Sequence, residues 1–262
     1  MIRLGRISYV NMAPLFFELD ADVEEIPGVP TDLNQALLDG KADLAPISSI
    51  EYARHAQRLR ILPRLCVSSE GAVDSIQLVS KAPLDSIRSV AVTPESATSV
   101  VLVRVLLPGA EQVPLGEEAD ATLLIGDAAL RSMFEDPTPH YDLGRLWQEE
   151  TGLPMVYAVF ACPDPAPDGV LDLEAALLGS HEASLARPEE LARAASDLYG
   201  YPAGFLARYF EKLHYSFGPR ERAGLMTFLE LARDVGELEE VPEGTRLKVT
   251  ESGFDQDRKS VV

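Results

Sequence analysis

Apolar and polar positions along this chain follow two rhythms. Short apolar runs with the length and composition of buried strands occupy residues 4–8, 23–26, 44–47, 61–67, 76–79, 89–92, 121–125 and 154–160. Segments with helical spacing lie between most of them, at 13–19, 31–40, 48–55, 96–107 and from Ala128 onward. In 31–40, Leu33, Leu37 and Leu38 share a face, Thr31 or Asp32 can cap the start, and Gly40 suits the position just past the last turn. Ser48 and Glu51 have the spacing of a capping box. The run Pro163-Asp164-Pro165-Ala166-Pro167-Asp168-Gly169 then breaks regular structure. Beyond it the chain reads as helices at 171–185, 188–198, 202–210 and 219–235, with Pro188, Pro202 and Pro219 at their starts. The polar tail from Glu251 reads as frayed.

Repeated strand–helix units predict an α/β protein with mainly parallel sheets covered on both faces. Their order predicts two lobes, 1–80 plus 161–262 and 81–160, with crossings near 80 and 160. The strong strand at 154–160 can run back to the first lobe. Ligands of open α/β sheets bind where strands end, so the cleft between lobes is the expected site.

Composition narrows the partners. The 262 residues are 46% hydrophobic and 25% charged, as in ordinary globular proteins, and carry a net charge of −19. That acidity argues against nucleic acid and against an anionic membrane surface. It leaves room for a small anion, because a few local donors can override the global field inside a cleft. No apolar stretch is long enough to span a membrane, and the first residues lack a signal-peptide core, which predicts a cytoplasmic protein. Cys66 and Cys162 lie in separate apolar segments and read as buried thiols. His55, His140, His181 and His214 show no metal spacing, with His55 and His181 expected on helix surfaces. Phosphate loops and the GxSxG elbow are absent, so no cofactor or metal is expected. Trp147 reads as a core or lobe anchor.

Candidate chemistry gathers at strand ends. Asn11 sits in Tyr9-Val10-Asn11-Met12, where a strand pattern gives way to a helix pattern; its amide can donate to one ligand oxygen and accept from another group. Pro46-Ile47-Ser48-Ser49, Gly71-Ala72-Val73-Asp74-Ser75 and Pro94-Glu95-Ser96-Ala97-Thr98-Ser99 place small hydroxyls at similar turns. Gly126-Asp127 ends another strand. Helix starts at such turns offer free N–H groups and favour anions. Together they describe a polar pocket for a small carboxylate.

These turns resemble the MqnA family, chorismate dehydratases of the futalosine route to menaquinone. The resemblance rests on Gly5-Arg6-Ile7-Ser8-Tyr9-Val10-Asn11 with Pro14-Leu15, on Ala45-Pro46-Ile47-Ser48-Ser49-Ile50-Glu51-Tyr52, on Gly71-Ala72-Val73-Asp74-Ser75, on Ser96-Ala97-Thr98-Ser99-Val100, and on Leu124-Ile125-Gly126-Asp127-Ala128-Ala129-Leu130. One departure is Glu70-Gly71-Ala72-Val73, where family members often carry Asp-Gly-Pro-Val. The resemblance implies a two-lobed type II periplasmic-binding-protein-like fold and loss of water from chorismate to give 3-[(1-carboxyvinyl)oxy]benzoate. It implies a small dicarboxylate substrate held by Asn11 and Ser75 at the reacting side chain. Ser48, Ser49, Thr98 and Ser99 would bind carboxylates, with Gly126 and Asp127 beside them. The base stays open between Glu70, Asp127 and the substrate's own enolpyruvyl carboxylate, which the resemblance favours. Two alternatives remain: a solute-binding protein for a small carboxylate, and the sister dihydroxynaphthoate synthase, MqnD-like, whose opening turn Tyr9-Val10-Asn11-Met12 does not match.

Overall fold

The computed structural model describes residues 1–242. The tail expected to fray from Glu251 lies outside the described residues. The chain opens with β1 (Ile2–Ile7), a 3-10 turn at Val10–Met12 and the short α1 (Ala13–Phe16). Then follow β2 (Val23–Gly28), α2 (Pro30–Leu38), β3 (Ala45–Ser48), α3 (Ser49–Arg54) and β4 (Leu59–Ser69). A second group comprises β5 (Ile76–Ser80), β6 (Ser89–Val92), α4 (Ala97–Leu106), β7 (Glu111–Pro114), β8 (Ala121–Ile125), α5 (Gly126–Glu135), β9 (His140–Asp142) and α6 (Leu143–Thr151). The chain ends with β10 (Met155–Pro163), α7 (Val170–Ala186), α8 (Pro188–Tyr199), α9 (Ala203–Phe210), β11 (His214–Ser216) and α10 (Pro219–Asp234). No helix of the described residues is long and apolar enough to cross a membrane.

Strand pairing sorts these elements into two bodies. One holds the four-stranded sheet β11-β4-β10-β3 and the parallel pair β1-β2, which joins β3 through Gly5 N–H donating to the Leu44 carbonyl at 2.7 Å. The other holds the five-stranded sheet β7-β6-β8-β5-β9. The chain leaves the first between β4 and β5 and returns to it between α6 and β10.

The expectation of mainly parallel sheets is corrected. In the four-stranded sheet every pairing is antiparallel, and in the five-stranded sheet β5 runs antiparallel to both β8 and β9. The reason is the crossings: β5 and β10 enter their sheets from the other body, so neither continues a strand–helix–strand unit within one sheet. Eight of the nine residues of β10 are buried, as its unbroken apolar run requires of a central strand.

Two caps also differ from expectation. Helix α2 starts at Pro30 with Val29 as N-cap, because the fixed φ of proline is already helical and outranks Thr31 or Asp32 as a start signal. Ser48 does precede α3, yet its side chain makes no cap bond. Its hydroxyl accepts instead from Asn34 Nδ2 at 3.2 Å, and Glu51 turns to Arg54. Gly40 takes a φ of 70° just past α2, as its position predicted.

Side chains join the bodies. Trp147 of α6 is fully buried and meets Phe228 of α10 edge-on at 6.1 Å. Cys66 and Cys162 are both buried and free, and burial pushes the Cys66 thiol up to about 12. Close packing is tightest where α10 crosses the start of β10: a Cβ on Gly224 would lie 2.0 Å from the Pro154 carbonyl oxygen. Gly179 of α7 has nothing within 4 Å of that position. Gly224→Ala should therefore destabilise the protein by about 1–3 kcal/mol through overpacking. Gly179→Ala should stabilise it by about 0.5–1 kcal/mol through helix propensity. Urea denaturation of the two variants checks both signs.

Candidate active site

A cavity opens between the two sheets, with about 550 Å³ of space including its mouth, within the usual range for a small-molecule site. Its polar side chains are Tyr9, Asn11, Ser48, Ser75, Ser96, Ser99 and Tyr157; apolar residues such as Val67, Ile76 and Leu213 make the rest. No lining residue carries a charge.

The turn bearing Asn11 is clamped from several directions. Val10 N–H donates to Asp127 Oδ1 at 3.1 Å, and the buried Tyr215 hydroxyl donates to the Asn11 carbonyl. Tyr9 reaches across the cleft, where its hydroxyl donates to Glu95 Oε2 at 2.8 Å. Burial first, and then this bond, push the Tyr9 phenol above its ordinary range, so it stays neutral. Its ring lies on Gly126, where an added Cβ would meet Tyr9 Cδ2 at 2.6 Å. Gly126 also has a φ of 54°, so the position rejects a side chain on two counts.

Ser48 and Ser99 are oriented by neighbours. The Ser48 oxygen already accepts from buried Asn34, which leaves its proton for a ligand. Ser96 Oγ caps α4 by accepting from Ser99 N–H at 3.2 Å, and it donates to Ser99 Oγ at 2.9 Å. The Ser99 proton is then free to point into the cavity. Tyr157 has the opposite polarity. Ser69 Oγ donates to the Gly71 carbonyl at 2.9 Å, so Tyr157 donates to Ser69 at 2.8 Å and its proton is not available to the cavity it lines.

Ser75 is delivered by a strained turn. Asp74 before it has a φ of 59°, uncommon outside glycine. The Asp142 carboxylate accepts from Val73 N, Asp74 N at 2.7 Å, Gln77 Nε2 at 2.8 Å and Arg145 N at 3.0 Å. Lys212 pairs with Asp74 at 2.5 Å. The Ser75 carbonyl receives Gly126 N–H at 2.8 Å, which ties the turn to α5.

Asn11, Ser48, Ser75, Ser99 and Gly126 of the expected residues thus meet in one cavity. Three do not line it. Ser49 donates to the Val156 carbonyl at 2.7 Å, Thr98 Oγ1 accepts from Ile50 N–H at 3.4 Å, and Asp127 holds Val10. Helical spacing explains the second: Ser96 and Ser99 share a face that Thr98, one residue away, leaves. Tyr9, Ser96, Tyr157 and Leu213 also line the cavity, and Asn34 and Asp142 brace residues that do, none of them singled out in the sequence reading. Tyr9 and Ser96 sit inside the quoted motifs; Tyr157 and Leu213 arrive from distant segments with no local signal. His181 is corrected from a surface residue to one packed edge-on against Tyr215 at 4.9 Å, where burial lowers its pKa.

A family model described as menaquinone biosynthesis matches residues 2–234. A chorismate dehydratase from Thermus thermophilus is 34% identical over 257 residues, covering 87% of this chain and 93% of the relative. A solved protein from Archaeoglobus fulgidus superposes with a TM-score of 0.77 at 19% identity, covering 90% of this chain and 98% of its own. The periplasmic aliphatic sulphonate binding protein of Escherichia coli superposes at 0.63 with 15% identity, covering 95% and 92%. At such identities the structures establish the fold, which is periplasmic-binding-protein-like.

Burial raises the Asp127 pKa despite the bond from Val10. A carboxyl whose folded pKa is raised takes up protons more readily when folded, so its ionisation weakens the fold as pH rises through that value. Asp127→Asn keeps an acceptor for Val10 and removes the charge. The variant should be at least as stable as the parent at pH 7, and its advantage should shrink as pH falls through the raised pKa and be gone by about pH 4. Thermal melts across pH decide this; a neutral-pH loss above about 1 kcal/mol contradicts it.

Proposed function

Because this chain belongs to the menaquinone biosynthesis family, we propose that it is a chorismate dehydratase, a carbon–oxygen hydro-lyase. What carries the reading is 34% identity, over most of both chains, to a protein of that name. The cavity supports it with neutral donors suited to a dicarboxylate. Ser48 and Ser99 direct hydroxyl protons to carboxylate oxygens, and first-turn N–H groups of α4 and α5 add positive potential nearby. Asn11 and Ser75 hold the enolpyruvyl side chain over the ring.

The chemistry requires one C–H and one C–O cleavage. The C3–H bond breaks, its electron pair enters the ring, and the C4–O bond breaks as the ring becomes aromatic. Hydroxide leaving C4 combines with the abstracted proton to give water. Glu70 is paired with Arg220, and Asp127 is committed to Val10; neither lines the cavity, nor does any histidine. This favours the substrate's own enolpyruvyl carboxylate as the base. The protein supplies orientation and charge stabilisation.

Purified protein incubated with chorismate alone should deplete the diene absorbance and release 3-[(1-carboxyvinyl)oxy]benzoate, identified by mass spectrometry. Tight binding of unchanged chorismate would favour a solute-binding role instead. Asn11→Ala should lower kcat by about 100-fold, and Ser75→Ala by about 10-fold, with smaller changes in KM. Near-normal turnover in both would remove their assignment.

The pH dependence has a definite sign. The base acts when ionised, so activity is present above the carboxylate pKa and lost as pH falls through it. With a substrate carboxylate near pH 4, kcat should stay flat from about pH 6 to 9 and decline below about pH 5. An acid limb centred near pH 6.5 would instead implicate a histidine.

A further inference from the structure

Two of the cavity serines have an oxygen occupied by a neighbour, Ser48 by Asn34 and Ser99 by Ser96. Ser75 is held differently. Its hydroxyl donates to the Val73 carbonyl at 3.4 Å, a long contact to an oxygen that already accepts the Ser75 N–H at 2.7 Å. Releasing that contact would leave Val73 paired. A neighbour able to complete Ser75 stands at the end of α9. Lys212, just past the helix, pairs with Asp74 at 2.5 Å, and Leu213 lines the cavity together with Ser75. One turn earlier is Tyr209, which is 1% exposed and packs its ring parallel to Phe205 at 6.3 Å and against Phe210 at 5.7 Å. It does not line the cavity, and its buried hydroxyl makes no hydrogen bond among the described residues. A buried hydroxyl left unpaired is costly and rare. Burial pushes the phenol above its ordinary range, with the adjacent Ser75 hydroxyl acting in the opposite sense, so the proton stays on. Two hydroxyls thus stand close together, one with its proton on a poor acceptor and the other with its proton on none.

Resting on the reading of Ser75 as a substrate contact, we propose that Tyr209 is a positioning residue that completes Ser75 when ligand enters. Ser75 turns its proton from Val73 to a carboxylate oxygen, and Tyr209 donates to the Ser75 oxygen. Ser75 Oγ then accepts one bond and donates one, the arrangement that Asn34 imposes on Ser48 and Ser96 on Ser99. Because the Tyr209 bond forms only with ligand in place, the cost of its unpaired hydroxyl falls on the empty protein. Relief of that cost strengthens the grip of Ser75 on the reacting side chain, in a chain of two hydroxyls that polarise each other.

Steady-state kinetics with chorismate on Tyr209→Phe, Ser75→Ala and the double variant test this, beside thermal melts of the ligand-free proteins. Tyr209→Phe should lower kcat about fivefold in the parent and by less than about twofold in the Ser75→Ala background. Its melting temperature should be no lower than the parent's, because the hydroxyl removed has no bond to lose. A merely structural hydroxyl would do the reverse: the melting temperature would fall, and both backgrounds would lose activity equally. Either result would overturn the proposal, as would an unchanged kcat in Tyr209→Phe. Normal turnover in Ser75→Ala would overturn it along with the Ser75 assignment. Failure of the dehydratase reading looks different: the parent itself leaves chorismate unconverted, and the proposal falls with that reading.

Discussion

A hydroxyl can donate only one proton, and in this cavity the neighbours decide where it goes. Asn34 occupies the Ser48 oxygen, and Ser96 occupies the Ser99 oxygen, so both protons remain for whatever enters. This polarity substitutes for positive charge. A cavity lined without arginine or lysine, in a chain of net charge −19, can still receive an anion because its donors are fixed before the ligand arrives. Fixed dipoles need no reorganisation when charge moves during reaction. The two serine oxygens are held by a buried Asn34 on α2 and by the Ser96 cap of α4.

The cavity also depends on both bodies being present. Tyr9 comes from the first body and rests on Gly126 of the second, with its hydroxyl on Glu95. Val10 and Tyr201 both bind Asp127, one at its carboxylate and the other at its carbonyl. Ser75 lies on the crossing between the bodies, and its carbonyl receives Gly126 N–H. Moving one sheet against the other would therefore disturb the amide, the serine and the aromatic wall together. Gly144 belongs to the same arrangement: a Cβ there would stand 2.4 Å from the Gly71 carbonyl and 2.5 Å from the Tyr157 hydroxyl. The absent side chain lets α6 approach the turn that Asp142 organises.

Most of the regular elements were legible because their signals are local. Buried strands such as β6 and β8 and the helices α7 to α10 announce themselves by periodicity, and α8, α9 and α10 also by a proline at or just before the first turn. The elements missed, β7, β9, α6 and β11, are short or mostly polar, so their stability comes from neighbours. Strand direction was misread for the same reason, since β5 and β10 are placed by the crossings.

For the candidate site, turn chemistry by itself determined that Asn11, Ser48, Ser75 and Ser99 stand at strand ends, and the family resemblance added Gly126 and the proposed roles. Only the tertiary structure decided which of the adjacent hydroxyls face the cavity. Ser48 opens to the cavity while Ser49 is spent on Val156; Ser99 opens to it while Thr98 supports Ile50. Local spacing cannot make that choice. A hydrogen bond is settled by the nearest available partner, and here the partners come from segments as distant in sequence as α2 and β10.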